Sequence, residues 1–211
     1  SGATLSGSTT VTVSSGVATF TGISLDKAGS GYTLTLSSNG LTSAVTSEFA
    51  IVSASASALA ITSEPSTTIS GNTFSVQPVV QIRDAYGNVV TSSSAPVTVA
   101  ITSGTGNSEA SLAGSATVNA VNGIATFTDL GLNQTGTGYT ITATSSGLTA
   151  AVSSAFNVSA SAASTLVIIS EPSTTAAGEA FGPQLAVPLD EFYQPVAVGH
   201  QDRNSDTPLP V

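Results

Sequence analysis

The chain of 211 residues contains no cysteine, no methionine and no tryptophan. Without cysteine there is no disulfide framework, no thiolate zinc site and no thiol nucleophile. A secreted protein of this composition has to rely on the packing of its core, or on bound metal, for its stability.

Basic residues are nearly absent as well. Lys27, Arg83 and Arg203 face 12 acidic residues, and the formal net charge is −9. Nucleic-acid binding needs clustered Lys and Arg to neutralise phosphates, so the composition argues against it, and against anionic membrane surfaces for the same reason. No apolar run approaches the ~18 residues that a membrane-spanning helix needs, so we expect no membrane insertion.

Histidine occurs once, at His200, so a Ser-His-Asp triad has a single possible base. This histidine lies beside Asp202 in a C-terminal segment whose composition differs from the rest, and we expect it to be solvated. The sequence therefore predicts no catalytic residue, no bound cofactor and no enzymatic activity.

What the chain has in abundance is internal repetition. Gly16-Val-Ala-Thr-Phe-Thr returns as Gly123-Ile-Ala-Thr-Phe-Thr, and Ser63-Glu-Pro-Ser-Thr-Thr returns as Ser170-Glu-Pro-Ser-Thr-Thr. Both pairs lie 107 positions apart. A constant offset of domain length indicates one folding unit used in tandem, and such proteins are typically spacers, stalks or filaments.

The 107-residue period divides the sequence into three copies. Residues 57–160 form the complete copy. Residues 1–54 match the C-terminal half of this unit and form the N-terminal partial copy. Residues 163–211 match its N-terminal half and form the C-terminal partial copy, with a divergent tail from position 199. The linkers at their junctions, Ser53-Ala-Ser-Ala-Ser and Ser159-Ala-Ser-Ala-Ala, are short and rich in Ala and Ser, which predicts tight joints.

The complete copy has the pattern of an all-β domain. Val97-Thr-Val-Ala-Ile alternates with period two, which predicts a strand with one buried face. Asn122-Gly123 is a strong hairpin signal, and Asp84-Ala-Tyr-Gly-Asn is a turn signal. About seven short strands in about 100 residues predict tandem immunoglobulin-like β-sandwiches, one complete and two partial.

One tyrosine supports this fold. Tyr139 begins the next-to-last predicted strand, with Ile141 two positions later, which is the placement of a tyrosine corner whose hydroxyl bonds to nearby backbone. Tyr32 and Leu34 repeat the arrangement in the N-terminal partial copy. The alternative is a buried aromatic ring without a special hydrogen bond.

Two segments resemble a known family. The run Gly123-Ile-Ala-Thr-Phe-Thr-Asp-Leu with Gly136-Thr-Gly-Tyr-Thr-Ile-Thr-Ala, and the run Pro78-Val-Val-Gln-Ile-Arg-Asp-Ala-Tyr-Gly-Asn, resemble the Ig-like repeats of large bacterial surface proteins of the invasin and intimin type. The resemblance implies an extracellular or cell-surface adhesin in which such domains act as extension modules. The C-terminal partial copy departs from it, because by position Gln194 and Pro195 stand where Gly87 and Asn88 do.

The phase of the period at the two ends leaves two structural hypotheses open. Ser1 corresponds to Ser108 and Val211 to Gly104, so chains laid head to tail would continue the period with three positions missing. The segment is either a window of a longer stalk or a filament subunit whose half-domains are completed by neighbouring chains. The predicted partners are accordingly neighbouring copies of itself or adjacent repeats of a longer chain.

A carbohydrate-binding or adhesive module is the alternative from a different class. Such a module presents exposed aromatic rings, and the candidates here are Tyr86, Phe192 and Tyr193.

Calcium is the metal that the sequence raises. Asp202, Asn204 and Asp206 have the D-x-N-x-D spacing of a calcium loop, although the following Gly and the distant bidentate Glu are missing, and a solvated loop is the alternative. Three further acids are candidates for calcium at the joints: Glu64, Asp84 and Asp129.

Overall fold

The computed structural model of the chain describes residues 2–180, 182, 185–190 and 195–196. Their regular secondary structure consists of β-strands, as the sequence predicted, and they contain no helix with the length and hydrophobicity needed to cross a membrane. The described strands are β1 (Leu5–Ser6), β2 (Ser24–Leu25), β3 (Gly29–Tyr32), β4 (Thr35–Leu36), β5 (Ala44–Val45), β6 (Phe49–Ile51), β7 (Ala56–Ser63), β8 (Thr68–Ile69), β9 (Val79–Asp84), β10 (Pro96–Ile101), β11 (Leu112–Ala113), β12 (Thr117–Asn119), β13 (Ile124–Thr126), β14 (Gly131–Leu132), β15 (Gly136–Tyr139), β16 (Ile141–Thr144), β17 (Ala151–Val152), β18 (Phe156–Ser159), β19 (Thr165–Ser170) and β20 (Leu185–Leu189).

Two antiparallel sheets organise the complete copy. One has the order β13-β9-β7 and the other the order β12-β10-β16-β17. In β10 the alternation predicted from sequence is present, because Val97 and Val99 are buried while Thr98 is exposed. Such alternation places one face of a strand against the core and the other against solvent.

The first strands of the complete copy contact two different sheets. β7 pairs antiparallel with β9, whereas β8 pairs in parallel with the last strand, β18, with Val158 opposite Thr68. The segment between β7 and β8 contains Glu64 and Pro65, and a proline ends strand pairing because it lacks a backbone N–H. The chain therefore passes at this turn from the β13-β9-β7 sheet to a third sheet, which has the order β15-β18-β8.

The hydrophobic core lies within the complete copy. Every buried hydrophobic residue of the described chain falls between Leu59 and Val158. The Phe74 and Phe156 rings meet edge to face with centroids 5.3 Å apart, and Tyr139 stacks on Phe156 at 6.0 Å. A fully buried side chain of this size contributes about 1.5–3 kcal/mol of hydrophobic stabilisation.

The N-terminal partial copy has strands but no buried residue in the described range 2–58. Its β3 pairs with β6 so that Tyr32 lies opposite Phe49, and β15 pairs with β18 in the same way at positions 107 later. The burial differs strongly, because Phe20 is 37% exposed and its counterpart Phe127 only 1%.

The C-terminal partial copy corrects one sequence alignment. β19 pairs with β20 as β7 does with β9, but the partner of Thr165 is Leu189, whereas the partner of Ala58 is Arg83. The offset is therefore 107 for β19 and 106 for β20, because one residue is missing between the two strands. The prediction that Pro195 stands where Asn88 does is wrong by one position, since Pro195 bridges Leu189 as Val89 bridges Arg83.

Candidate joint around Asp84

Asp84 ends β9 and is 3% exposed. Its Oδ1 accepts hydrogen bonds from the backbone N–H groups of Tyr86 and Asn88, both at 2.9 Å. Its Oδ2 accepts the backbone N–H of Ala54 at 2.8 Å and Nδ2 of Asn88 at 2.9 Å. Because Ala54 belongs to the linker before the complete copy, this carboxylate ties the linker to the turn after β9.

The hydrogen bonds determine the ionisation of Asp84. Burial is the largest influence and would raise the pKa of its carboxyl group. The donors on Asn88, Ala54 and Tyr86 together outweigh burial and hold the pKa at about 2, below the usual range of an aspartate. The group is therefore a carboxylate at neutral pH, where charged acceptors make the stronger hydrogen bonds.

Asn88 extends the network to the N-terminal partial copy. Its Nδ2 also donates to the backbone oxygen of Asp26 at 2.8 Å, and its Oδ1 accepts the N–H of Ala28 at 3.0 Å. Between these two contacts, Nζ of Lys27 donates to the backbone oxygen of Tyr86 at 2.9 Å. Residues 26–28 thus bind the turn 84–88 through one side-chain amide and one ammonium group.

A tyrosine shapes the loop that makes these contacts. The hydroxyl of Tyr32 donates to the backbone oxygen of Lys27 at 3.1 Å. In the complete copy the hydroxyl of Tyr139 donates to the backbone oxygens of Gln134 and Thr135, at 3.0 and 3.2 Å. The tyrosine hydrogen bond predicted from sequence is confirmed at both positions, and burial raises the pKa of Tyr139, so its hydroxyl remains a donor at neutral pH.

A second buried carboxylate occupies the corresponding place after β20. Asp190 is 1% exposed, and its Oδ2 accepts the hydroxyl of Ser70 at 3.1 Å and the N–H of Ser161 at 3.3 Å. Ser161 lies 107 positions after Ala54. Each linker therefore donates a backbone N–H to the aspartate at the end of the hairpin that follows it, Asp84 for the first linker and Asp190 for the second. Ser70 belongs to the complete copy, so Asp190 connects the complete copy with the C-terminal partial copy.

The proposed calcium ligands do not converge in the described residues. Glu64 accepts the N–H of Ser154, Asp129 accepts the N–H and hydroxyl of Ser115, and Asp84 is occupied by four donors. Within the described ranges, no three His, Cys, Asp or Glu side chains form a group that could hold a metal ion. The other calcium candidates and the histidine lie outside the described residues: Asp202, Asn204, Asp206 and His200.

Of the three aromatic candidates for glycan contact, only Tyr86 lies in the described part of the chain. Its side chain is 59% exposed, and its backbone oxygen is engaged by Lys27. Phe192 and Tyr193 lie outside the described residues.

Sequence reasoning missed Lys27 and Asn88 as joint residues. The sequence predicts Asn88 only as a local turn former, which it also is, because its backbone oxygen accepts the N–H of Asp84 at 2.9 Å. A signal was available in the loop Asp26-Lys-Ala, which replaces Asn133-Gln-Thr and contains the only lysine of the chain. A single lysine at a position where the complete copy has Gln134 is a candidate for a contact that the complete copy does not make.

Comparison with known proteins adds no assignment. A scan against protein-family models finds no match for this chain, and a search of curated proteins finds none either.

Proposed function

We propose that this chain is a structural, non-catalytic segment of an extracellular or cell-surface stalk, built from tandem immunoglobulin-like β-sandwiches. The observation that carries the proposal is the joint in which Asp84 and Asn88 bind both the linker and residues 26–28. A stalk needs folded units joined in a fixed orientation, and this network supplies such a connection.

The sheet orders support an Ig-like unit for residues 57–160. In the nomenclature of that fold, β7, β9 and β13 take the places of strands A, B and E, while β10 and β16 take those of C and F. The parallel pairing of β8 with β18 fits a first strand that leaves the sheet of β7 and β9 and pairs with the last strand of the fold. The hydroxyl contacts of Tyr139 fit the tyrosine corner of the same fold.

The joint explains how such a segment would resist bending. Moving residues 26–28 away from the turn 84–88 would break the two bonds of the Asn88 amide and the contact of Lys27. Moving the linker would also remove the Ala54 N–H from a buried carboxylate, and leaving a charged acceptor short of donors costs more than losing a neutral hydrogen bond. Neighbouring units therefore keep their orientation under a load that a Gly/Ser linker would not withstand.

Distances across the joint test this proposal. Because the chain lacks cysteine, spin labels can be attached to cysteines introduced at Leu41 and Val121, which are 72% and 70% exposed. We expect a narrow distance distribution that broadens in Asn88→Ala. Asn119→Ala is the matched control, since Asn119 is exposed on β12 and donates to none of the joint acceptors. A distribution that is already broad in the parent protein would contradict the proposal.

A further inference from the structure

The N-terminal partial copy carries an open apolar groove with a volume of about 390 Å³. Apolar residues that line it include Leu5, Phe20, Ile23, Leu34 and Leu36. The residues 107 positions later belong to the core of the complete copy or pack against it: Leu112, Phe127, Leu130, Ile141 and Ala143. The groove therefore corresponds to a surface that is buried in the complete copy, where strands nearer its N-terminus cover it.

The complete copy shows what covers such a surface. Phe74 donates its backbone N–H to the oxygen of Leu130, and the amide of Gln77 bonds both the N–H and the oxygen of Leu130. β9 pairs antiparallel with β13, so that Val80 lies opposite Ala125. For residues 17–19, which correspond to β13, the fitting partner is therefore a strand of the β9 type.

The C-terminal partial copy offers a strand of this type. β20 has the register against β19 that β9 has against β7. Among the described residues, β20 pairs with β19 and, through Leu189, with Pro195, while the edge that β9 presents to β13 has no partner. Leu166 on β19 is 72% exposed, whereas its counterpart Leu59 is 6% exposed.

We infer that the groove binds the β19–β20 hairpin of a second copy of this chain. In the register of the complete copy, β20 pairs antiparallel with residues 17–19, with Val17 opposite Val187 and Ala18 opposite Ala186. This assembly is independent of the proposed stalk role, because it concerns contacts between chains and not the joint within one chain.

Pro188 sets the strength of this contact. Its counterpart Ile82 donates its backbone N–H to the oxygen of Gly123, and proline has no such donor. The pairing of Leu185–Val187 therefore lacks one hydrogen bond that β9 makes beside the corresponding residues, and we expect the association to be reversible. The net charge of −9 opposes contact between copies, so added salt strengthens the association.

Disulfide trapping tests the register in a chain that has no native cysteine. Directly paired Cα atoms of antiparallel strands lie about 4.5–5.5 Å apart, within the range of a disulfide. Val17→Cys mixed with Val187→Cys should give a cross-linked dimer on oxidation, in at least fivefold higher yield than Val17→Cys mixed with Ala186→Cys. Position 186 is the matched control because its side chain points to the opposite face of the strand.

Three substitutions and a double variant complete the test. Pro188→Ile should raise the cross-linked fraction at least threefold, because it restores the donor. Ala18→Asp should abolish cross-linking, whereas Thr19→Asp on the outward face should retain it. Equal yields at positions 186 and 187, or a monomer at all concentrations in sedimentation, would overturn the inference. So would an intramolecular disulfide in the monomeric Val17→Cys/Val187→Cys variant, which would place the hairpin in the groove of its own chain.

Discussion

Nδ2 of Asn88 lies 2.8 Å from the backbone oxygen of Asp26, which precedes it by 62 residues. The same nitrogen lies 2.9 Å from Oδ2 of Asp84, which in turn accepts the N–H of Ala54. One amide group therefore links the N-terminal partial copy to the carboxylate that binds the linker. Changes at Asp84 should accordingly affect both the complete copy and its connection to the preceding residues.

Replacing Asp84 by Asn should destabilise the complete copy by about 2–3 kcal/mol, since hydrogen bonds to charged groups contribute about 1.5–3 kcal/mol each. The amide that replaces the carboxylate presents an NH₂ group to two of the four donors around this site. Urea unfolding would measure the change in the free energy of unfolding. Asp129→Asn is the control, because Asp129 accepts only from Ser115 and lies exposed; an equal loss there would contradict a special role for Asp84.

Acid should weaken the same site. The folded-state pKa of Asp84 is about 2, below the value of about 3.9 for an unfolded aspartate. The contribution of this group is therefore fully present above pH 4 and is lost as the pH falls from about 4 through 2. The melting temperature of the parent chain should fall over this interval more steeply than that of Asp84→Asn. Parallel curves for the two proteins would show that other carboxylates dominate the acid response.

Whether a contact could be predicted from the sequence depends on how far apart its two residues lie along the chain. Tyr139 was predictable because its hydroxyl acceptors, Gln134 and Thr135, lie within five residues. The contact of Asn88 with residues 26–28 was not, because nothing local distinguishes it from an ordinary turn asparagine. The counterpart of Asp84 was ambiguous for a related reason: a one-residue deletion before β20 leaves Asp190 and Glu191 as adjacent acids, and only the strand register selects Asp190.

Gly106 should be among the least replaceable glycines of the complete copy. Its φ is +62°, and a Cβ built there would clash with Cδ1 of Tyr139, whose ring is fully buried. A left-handed conformation costs an alanine about 1–2 kcal/mol. Gly106→Ala should therefore lower the free energy of unfolding by well over that amount. Gly147→Ala is the control, since Gly147 has a φ of +74° and open space around it. Thermal unfolding of both variants would separate the steric cost from the conformational one.

The two tyrosine hydroxyls should have different effects when removed, although they occupy equivalent positions. Tyr139→Phe removes a donor from a fully buried ring and leaves the backbone oxygens of Gln134 and Thr135 without it, so stability should fall by about 1 kcal/mol. Tyr32→Phe removes the donor to Lys27 in a region without buried residues, so the unfolding of the complete copy should hardly change. It should instead broaden the distance distribution between labels at positions 41 and 121, because Tyr32 fixes the loop that contacts the turn 84–88. A Tyr32→Phe variant that lowers stability and leaves that distribution unchanged would assign the hydroxyl to folding and not to the joint.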